Sequence, residues 1–450
     1  MLPVTRFAAL PAFARQAEQS VTFPLGFRAA GVAAGIKRSN RLDVGLLVSD
    51  TPCAAATFFT RNEAAAAPVV VTRDSSACDR LRGVVVNSGN ANACTGAPGL
   101  SDALRMRDLA AASLGLPTAE VGVCSTGVIG EPLPMQRVEQ GVRMAAAKLS
   151  TGGGGRFAAA IRTTDSSAKH GALALAFPQG EVRLGFAAKG AGMICPDMAT
   201  MLCFVTCDAV VPARAWRAMT AAAVASSFNR ITVDGQESTN DTVIALANGA
   251  SGVALDAASL AALQRVLETA LLMLAVAIVA DGEGATKVVR LDVAGARDPL
   301  EAERVARAVA GSPLVKAAFY GEDPNWGRVV QAAGQALAFS RSGDARPAPC
   351  APGIAHRPVF APGIPDRPVC APDVARRPVL APDVAYGPLM LVRHGVPLSL
   401  SEDERRRLVH LMGEQEIELR VGLGRGESSA RLFFSDLTHQ YVTLNAEYTT

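Results

Sequence analysis

Residues Lys189–Leu202 read KGAGMICPDMATML. Two glycines and a proline mark a turn, and the residues that follow Thr200 are apolar, as at the beginning of a strand. By residue type alone, Thr200 is a structural residue there, because β-branched side chains suit a pleated, half-buried surface. Cys203 and Cys207 follow it and read as small core residues of the same strand. Alternating elements with many small residues along the chain point to an α/β or α+β protein with closely packed sheets and helices.

The rest of the chain agrees. At 450 residues it is too long for one ordinary core and suggests two or three domains, or two interlocked lobes. Its residues are 49% hydrophobic and only 5% aromatic, with 41 glycines, which is a globular composition. A formal charge of +3, with Lys and Arg spread evenly, gives no sign of nucleic-acid binding. The N-terminal stretch MLPVTRFAALPAFARQ is broken by Pro and Arg and does not read as a secretory signal. The apolar run Thr269–Ala280 is too short to span a bilayer and reads as a buried element, so no membrane partner is expected. Nine cysteines without a CxxC pair suggest reduced thiols and a cytoplasmic protein. Five histidines, none at ligand spacing from another, argue against a metal site.

Val44–Val48, Val69–Thr72 and Val84–Val86 read as strands. Ser101–Leu114, with Ser101 as N-cap, reads as a helix, as do Leu133–Leu149, Leu260–Leu274 and Ala302–Ala310. Gly152–Gly155 reads as a flexible connector, since no GK[ST] follows it. Ala351–Met390 consists of four tandem decapeptides, APGIAHRPVF, APGIPDRPVC, APDVARRPVL and APDVAYGPLM. Their prolines predict neither helix nor interior strand, but an extended surface insertion in the C-terminal half. A proline-rich docking site is the functional alternative.

Seven further stretches, in order, carry a resemblance. They are GFRAAGVAAGIK (Gly26–Lys37), VVVNSGNANACTG (Val84–Gly96), STGVIGEPLPM (Ser125–Met135), FNRITVDGQESTNDT (Phe228–Thr242), VADGEGATK (Val279–Lys287), FYGEDPNWGR (Phe319–Arg328) and YVTLNAEYTT (Tyr441–Thr450). With KGAGMICPDMATML among them, the chain resembles the ornithine acetyltransferases, or bifunctional glutamate N-acetyltransferases, of the ArgJ family of arginine biosynthesis. The resemblance implies an α/β, two-lobed fold of the DmpA/ArgJ type with the active site between the lobes. It also implies autocleavage between Ala199 and Thr200. The products would be an alpha chain, residues 1–199, and a beta chain, residues 200–450, paired as a heterotetramer of two of each.

Elementary chemistry accounts for that cut. The Thr200 hydroxyl reaches the Ala199 carbonyl through a five-membered ring; attack gives an ester, which water cleaves. The new α-amine of Thr200 titrates near pH 8 or just below, about 7.7–8.0. Much of it is therefore a base at neutral pH, and it activates its own hydroxyl without a histidine.

The resemblance makes Thr200 the nucleophile and gives the oxyanion to Thr126 and Gly127; on residue type alone these two form a turn after the strand Val121–Cys124. Substrate contacts fall to Lys189, Glu283, Asn445 and Thr450, and to Thr163 or Thr164, between which the sequence leaves the choice open. By residue type alone, Lys189 is a solvated surface lysine and Glu283 an exposed turn acid. The asparagines of Asn87–Asn92 suit left-handed turns. Asn229, Asp234, Asn240 and Asp241 read as structural residues that support the site or cap local structure, and Trp326 as core or interface.

The implied reaction takes acetyl from N2-acetylornithine onto Thr200 and passes it to glutamate, without a cofactor. Acetyl-CoA is a further acetyl donor in some relatives. The alternatives are an N-terminal-nucleophile aminopeptidase or amidohydrolase, and an unprocessed, inactive relative. Asp197 stands where the family usually has Asn, which places a carboxylate three residues from the scissile bond and is expected to slow the cut or shift its pH dependence. Phe434–Ser435 replace a segment in which a Cys is usual.

Overall fold

The computed structural model describes residues 1–195, 201–339 and 380–447. The chain divides into two compact units, Met1–Val288 with Phe433–Thr450, and Val289–Leu432. That division does not fall at residues 199 and 200.

Two sheets build the first unit. In one, the strands Phe27–Val32, Val44–Ser49, Gly83–Asn90 and Val121–Val128 are neighbours in that order. In the other the order is Ala14–Ala17, Lys169–Phe177, Gly180–Lys189, Leu202–Cys207, Thr242–Ala247 and Ala54–Phe59. Val44–Ser49 and Leu202–Cys207 are buried at every residue, which is why they read as continuous apolar runs and not as alternating ones. Cys203 and Cys207 are fully buried core residues there, as their types suggested, and burial pushes both thiols well above the usual range. All seven described cysteines are free.

Small residues let these layers approach. A Cβ on Gly153 would lie 1.7 Å from the Ala29 carbonyl oxygen, so the Gly152–Gly155 run is in part a tight packing contact, not the flexible connector expected. Gly154 and Gly155 already belong to the helix Gly154–Ala160.

Val69–Thr72 is not a strand. It lies in the helix Ala67–Ser75, which begins with Pro68 in its first turn. The Thr72 hydroxyl both donates to the Val123 carbonyl and accepts from the Val123 amide, at 2.8 and 2.9 Å. This tertiary contact uses a β-branched residue to seat a helix on a strand, and local propensity yields to it. Ser101 is not an N-cap, because the helix begins earlier and spans Gly96–Leu114. The apolar run Thr269–Ala280 is the second half of a 24-residue helix, Ala257–Ala280, started by the Asp256 carboxylate accepting the Ser259 amide. By length and composition that helix is apolar enough to cross a membrane, yet 61% of its most apolar window is buried in the core.

A third sheet has seven strands, ordered Ile231–Thr232, Ser428–Ser435, Val288–Ala296, Glu416–Gly422, Asp383–Tyr386, Leu389–Arg393 and Val396–Pro397; Ile231–Thr232, Phe433–Ser435 and Val288 belong to the first unit and the rest to the second. Among the described residues the second unit is otherwise helical. Its helices include Pro299–Ala310, Pro313–Tyr320, Trp326–Phe339 and Glu402–Gly413. Trp326 is half-buried at the start of its helix. The decapeptide reading needs correction here. The fourth repeat, residues 381–390, supplies Asp383–Tyr386, an interior strand paired on both edges, antiparallel to Glu416–Gly422 and to Leu389–Arg393. Its prolines, Pro382 and Pro388, flank the strand and do not interrupt it, so they cost no ladder bonds. Tyr386 is 1% exposed and packs against Phe319, with ring centroids 5.9 Å apart. Of the first three repeats only Leu380 falls within the described residues.

Candidate active site

Pro196–Thr200 and Thr450 lie outside the described residues, so Asp197, Ala199, Thr200 and Thr450 are not located. The chain on either side of the ATML motif is. Met201 is buried; its amide donates to Asp241 Oδ1 at 2.9 Å and its carbonyl accepts the Thr242 amide at 3.1 Å. Leu202 then pairs with Lys189 on the neighbouring antiparallel strand.

Lys189 is 2% exposed, which removes the surface-lysine reading. Its Nζ donates to Thr126 Oγ1 at 3.0 Å. Burial pushes its pKa down, and the Asp165 carboxylate opposes that. Thr126 and Gly127 do not form a turn after Cys124. They continue the strand Val121–Val128, at a bulge where Asn90 pairs with both Thr126 and Val128. Gly127 has φ 137°, and a Cβ there would meet the Gly89 carbonyl carbon at 2.4 Å, so only glycine fits.

Beneath Lys189 lies a charge network that reading by residue type did not reveal. Asp165 Oδ1 accepts from Lys169 Nζ and from the Gly190 amide, each at 2.7 Å. Lys169 also donates to Asp281 Oδ2 at 2.5 Å, and Asp281 accepts from the Ser166 amide and hydroxyl. Burial alone would raise the Asp165 pKa, but the Lys169 and Lys189 ammonium groups and the Gly190 amide together hold it well below the carboxylate range. Asp165 directly follows the two candidate threonines, and Asp281 lies within VADGEGATK. Lys169 joins them, bonding to Asp281 across 112 residues of sequence, and no local pattern carries that signal. Burial also brings the nearby Lys37 down to about 8, with its Nζ donating to the Leu42 carbonyl at 2.7 Å.

A cavity of about 430 Å3 opens beside this network, lined by Thr164, Ser166, Asp281, Glu283, Leu444 and Asn445 among others. Of the two candidate threonines, Thr164 lines it, whereas the Thr163 amide donates back to Asp165 at 3.0 Å. Glu283 is half-buried, not an exposed turn acid. Its Oε2 accepts from Asn445 Nδ2 at 2.9 Å, and its amide donates to the Ala191 carbonyl at 3.1 Å. Asn445 sits on the helix His439–Glu447, so the end of the chain is structured up to Glu447. A second concavity, on the helices Gly96–Leu114 and Met135–Ala146, holds none of the expected residues.

Asp234 accepts the Met193 and Ile194 amides at 2.6 and 2.9 Å and so latches the loop after Lys189, where Met193 has φ 60°. Asn240 Nδ2 donates to the carbonyls of Ala91 and Ser125, at 2.7 and 2.9 Å. Asn229 lies in the short 3-10 turn Phe228–Arg230. Asn92 adopts the left-handed conformation at φ 48°, but Asn87 lies in a strand, where it accepts the Ser125 hydroxyl at 2.6 Å. Among the described residues no group of His, Cys, Asp and Glu is placed to hold a metal ion. Buried cations, backbone and hydroxyl donors and a polar cavity together suit binding of an amino acid and stabilisation of an oxyanion.

Comparison with known proteins is consistent with this chemistry. The ArgJ family model matches residues 28–346 and 374–450, leaving 347–373 unmatched. The arginine biosynthesis bifunctional protein ArgJ of Nitratidesulfovibrio vulgaris is 43% identical over 94% of this chain and 98% of its own. That of Symbiobacterium thermophilum is 44% identical over 96% and 98%. A crystal structure of ornithine acetyltransferase from Mycobacterium tuberculosis, complexed with ornithine, is 44% identical over 41% of this chain and 98% of that one, with a TM-score of 0.38. A family model that matches most of the chain, and relatives of this identity along nearly their whole length, establish that the chain belongs to the ArgJ family.

Proposed function

We propose that this ArgJ-family acyltransferase of arginine biosynthesis moves the acetyl group of N2-acetylornithine to glutamate through an acetyl ester on Thr200. The observation that supports it most is the buried Lys189–Thr126 hydrogen bond, one strand away from Met201 and beside a polar cavity that presents Glu283 and Asn445.

The chain first cuts itself between Ala199 and Thr200. The freed α-amine of Thr200 takes the hydroxyl proton as Oγ1 attacks the acetyl carbonyl. The Thr126 hydroxyl and the Gly127 amide donate to the oxyanion. Collapse breaks the carbon–nitrogen bond, and the Thr200 ammonium returns its proton to the departing N2 of ornithine. Glutamate's amine then attacks the ester, gives up its proton by the same route, and leaves as N-acetylglutamate. Lys189 takes the substrate α-carboxylate, Glu283 the ornithine δ-ammonium, and Thr164, Asn445 and Thr450 complete the contacts. The Asn445 amide suits a site with two alternating substrates, because it both donates and accepts. Acetyl-CoA as a second donor, a cytoplasmic location and an assembly of two alpha and two beta chains complete the reading.

Intact mass of the purified protein is the test, followed by incubation with N2-acetylornithine. Two masses meeting at Ala199–Thr200, and an acetyl adduct on the Thr200 chain that glutamate discharges faster than buffer, are expected. A single uncut mass removes the mechanism. Discharge without preference for glutamate favours an amidohydrolase.

A further inference from the structure

We propose that the dipeptide Asn240–Asp241 is a positioning clamp for the reaction, fixing the strand that follows Thr200 at a set distance from the oxyanion donors. The inference rests on the proposed roles of Thr200, Thr126 and Gly127.

The two side chains point to opposite partners. Asn240 Nδ2 donates to the carbonyl of Ser125, the residue before Thr126, at 2.9 Å. Asp241 Oδ1 accepts the amide of Met201, the residue after Thr200, at 2.9 Å. One peptide unit thus joins the backbone at Thr126 to the backbone at Met201. Both residues are buried, Asp241 completely, and the clamp is itself held. The Thr239 hydroxyl donates to Asn240 Oδ1 at 2.6 Å, and the Thr60 amide to the Asp241 carbonyl at 3.0 Å. The next residue, Thr242, starts a strand in parallel register with Leu202, so Met201 is fixed through both its amide and its carbonyl.

Burial pushes the Asp241 pKa well above the usual carboxylate range, against the Met201 amide, the Lys189 charge and the Ser238 side chain, and Glu237 adds to the rise. Its second oxygen, Oδ2, has no hydrogen-bond partner among the described residues. An asparagine keeps the shape and the Oδ1 acceptor that the Met201 amide uses, whereas an alanine keeps neither. Reacting groups displaced by an ångström lose on the order of 100-fold in rate.

The experiment compares Asp241→Ala, Asp241→Asn and Asn240→Ala with the unaltered protein, by time-resolved intact mass, by kcat and KM for N2-acetylornithine, and by thermal melting. Asp241→Ala and Asn240→Ala are expected to melt cooperatively, to cut slowly and to lose about 100-fold in kcat with little change in KM. Asp241→Asn is expected to restore kcat to within about tenfold. Should Asp241→Ala not fold, Asn240→Ala tests the clamp from its other end. Unchanged kcat in either folded alanine variant overturns the clamp. Asp241→Asn as impaired as alanine also overturns it, since Asp241 then moves a proton. Unaltered protein that is never cut, or never acetylated on Thr200, overturns the functional reading and takes the clamp with it.

Discussion

Lys189 Nζ donates to Thr126 Oγ1 across 3.0 Å, with both side chains buried. An ammonium group has donors only. The Thr126 oxygen must therefore be the acceptor, and its own hydrogen is left to point elsewhere, as an oxyanion donor requires. Thr126→Val, which keeps the shape and removes the hydroxyl, is expected to lower kcat by about 100- to 1,000-fold. Thr126→Ser should recover most of the loss. Single-turnover formation of the acetyl-enzyme measures this directly. A valine variant within tenfold of the unaltered rate would take the oxyanion role away from Thr126.

Two glycines at the site separate binding from folding. A Cβ on Gly192 would come within 2.6 Å of the Glu283 carboxylate, the far end of a side chain that can swing away. Gly192→Ala is thus expected to loosen the Glu283–Asn445 bond and raise KM for N2-acetylornithine several-fold, with little change in melting temperature. Gly127→Ala meets backbone instead, with Asn90 N at 2.5 Å, from a backbone at φ 137°. It should force apart the strands Gly83–Asn90 and Val121–Val128. Strain of this kind costs about 1–3 kcal/mol before any clash is counted. Melting curves with KM values for both variants check the contrast. A destabilised Gly192→Ala with normal KM would contradict it.

What the sequence shows and what it hides follow from the range of each interaction. Val44–Val48 and Val84–Val86 were legible because burial on both faces leaves an apolar run, whereas the polar NSGN half of the strand Gly83–Asn90 did not show itself as strand. Val69–Thr72 misled because its helix is decided by Thr72 bonding to Val123, some fifty residues away. Lys189, Glu283 and Asn445 were singled out by resemblance to family motifs, and Glu283 and Asn445 are hydrogen-bonded to each other. The Asp165–Lys169–Asp281 network was not found, although each member was in plain view. Lys169 and Asp281 are 112 residues apart, and only the folded chain joins them.

The strand Asp383–Tyr386 changes where the chain can be shortened. Removing Ala351–Met390 takes out an interior strand together with Tyr386, which is buried against Phe319. Such a deletion is expected to abolish cooperative folding of the second unit. Removing 347–373, the residues the family model leaves unmatched, is expected to preserve the cut, the transfer and the melting temperature within a few degrees. Circular dichroism melts and the mass assay decide. A collapse of the shorter deletion would give the first repeats a structural role.

Asp165 makes stability depend on pH in a definite direction. Its folded pKa lies below its unfolded one, about 3.9. The stabilisation is therefore present above the unfolded value and is lost as pH falls through the folded one. Asp165→Asn removes the charge that Lys169 and Lys189 share. Breaking a buried pair by removing one partner costs about 3–5 kcal/mol, so the variant should melt well below the unaltered protein at neutral pH. The gap should narrow only in strongly acidic solution, where the native carboxylate takes up its proton too. Because Lys189 loses its strongest counter-charge, the variant should also bind N2-acetylornithine with a pH dependence displaced downward, as the ammonium form gives way at lower pH. Melting temperatures and KM measured across pH test both halves. A constant gap down to the lowest pH at which the protein folds would show that Asp165 contributes through its hydrogen bonds to Lys169 and Gly190, and not through its charge.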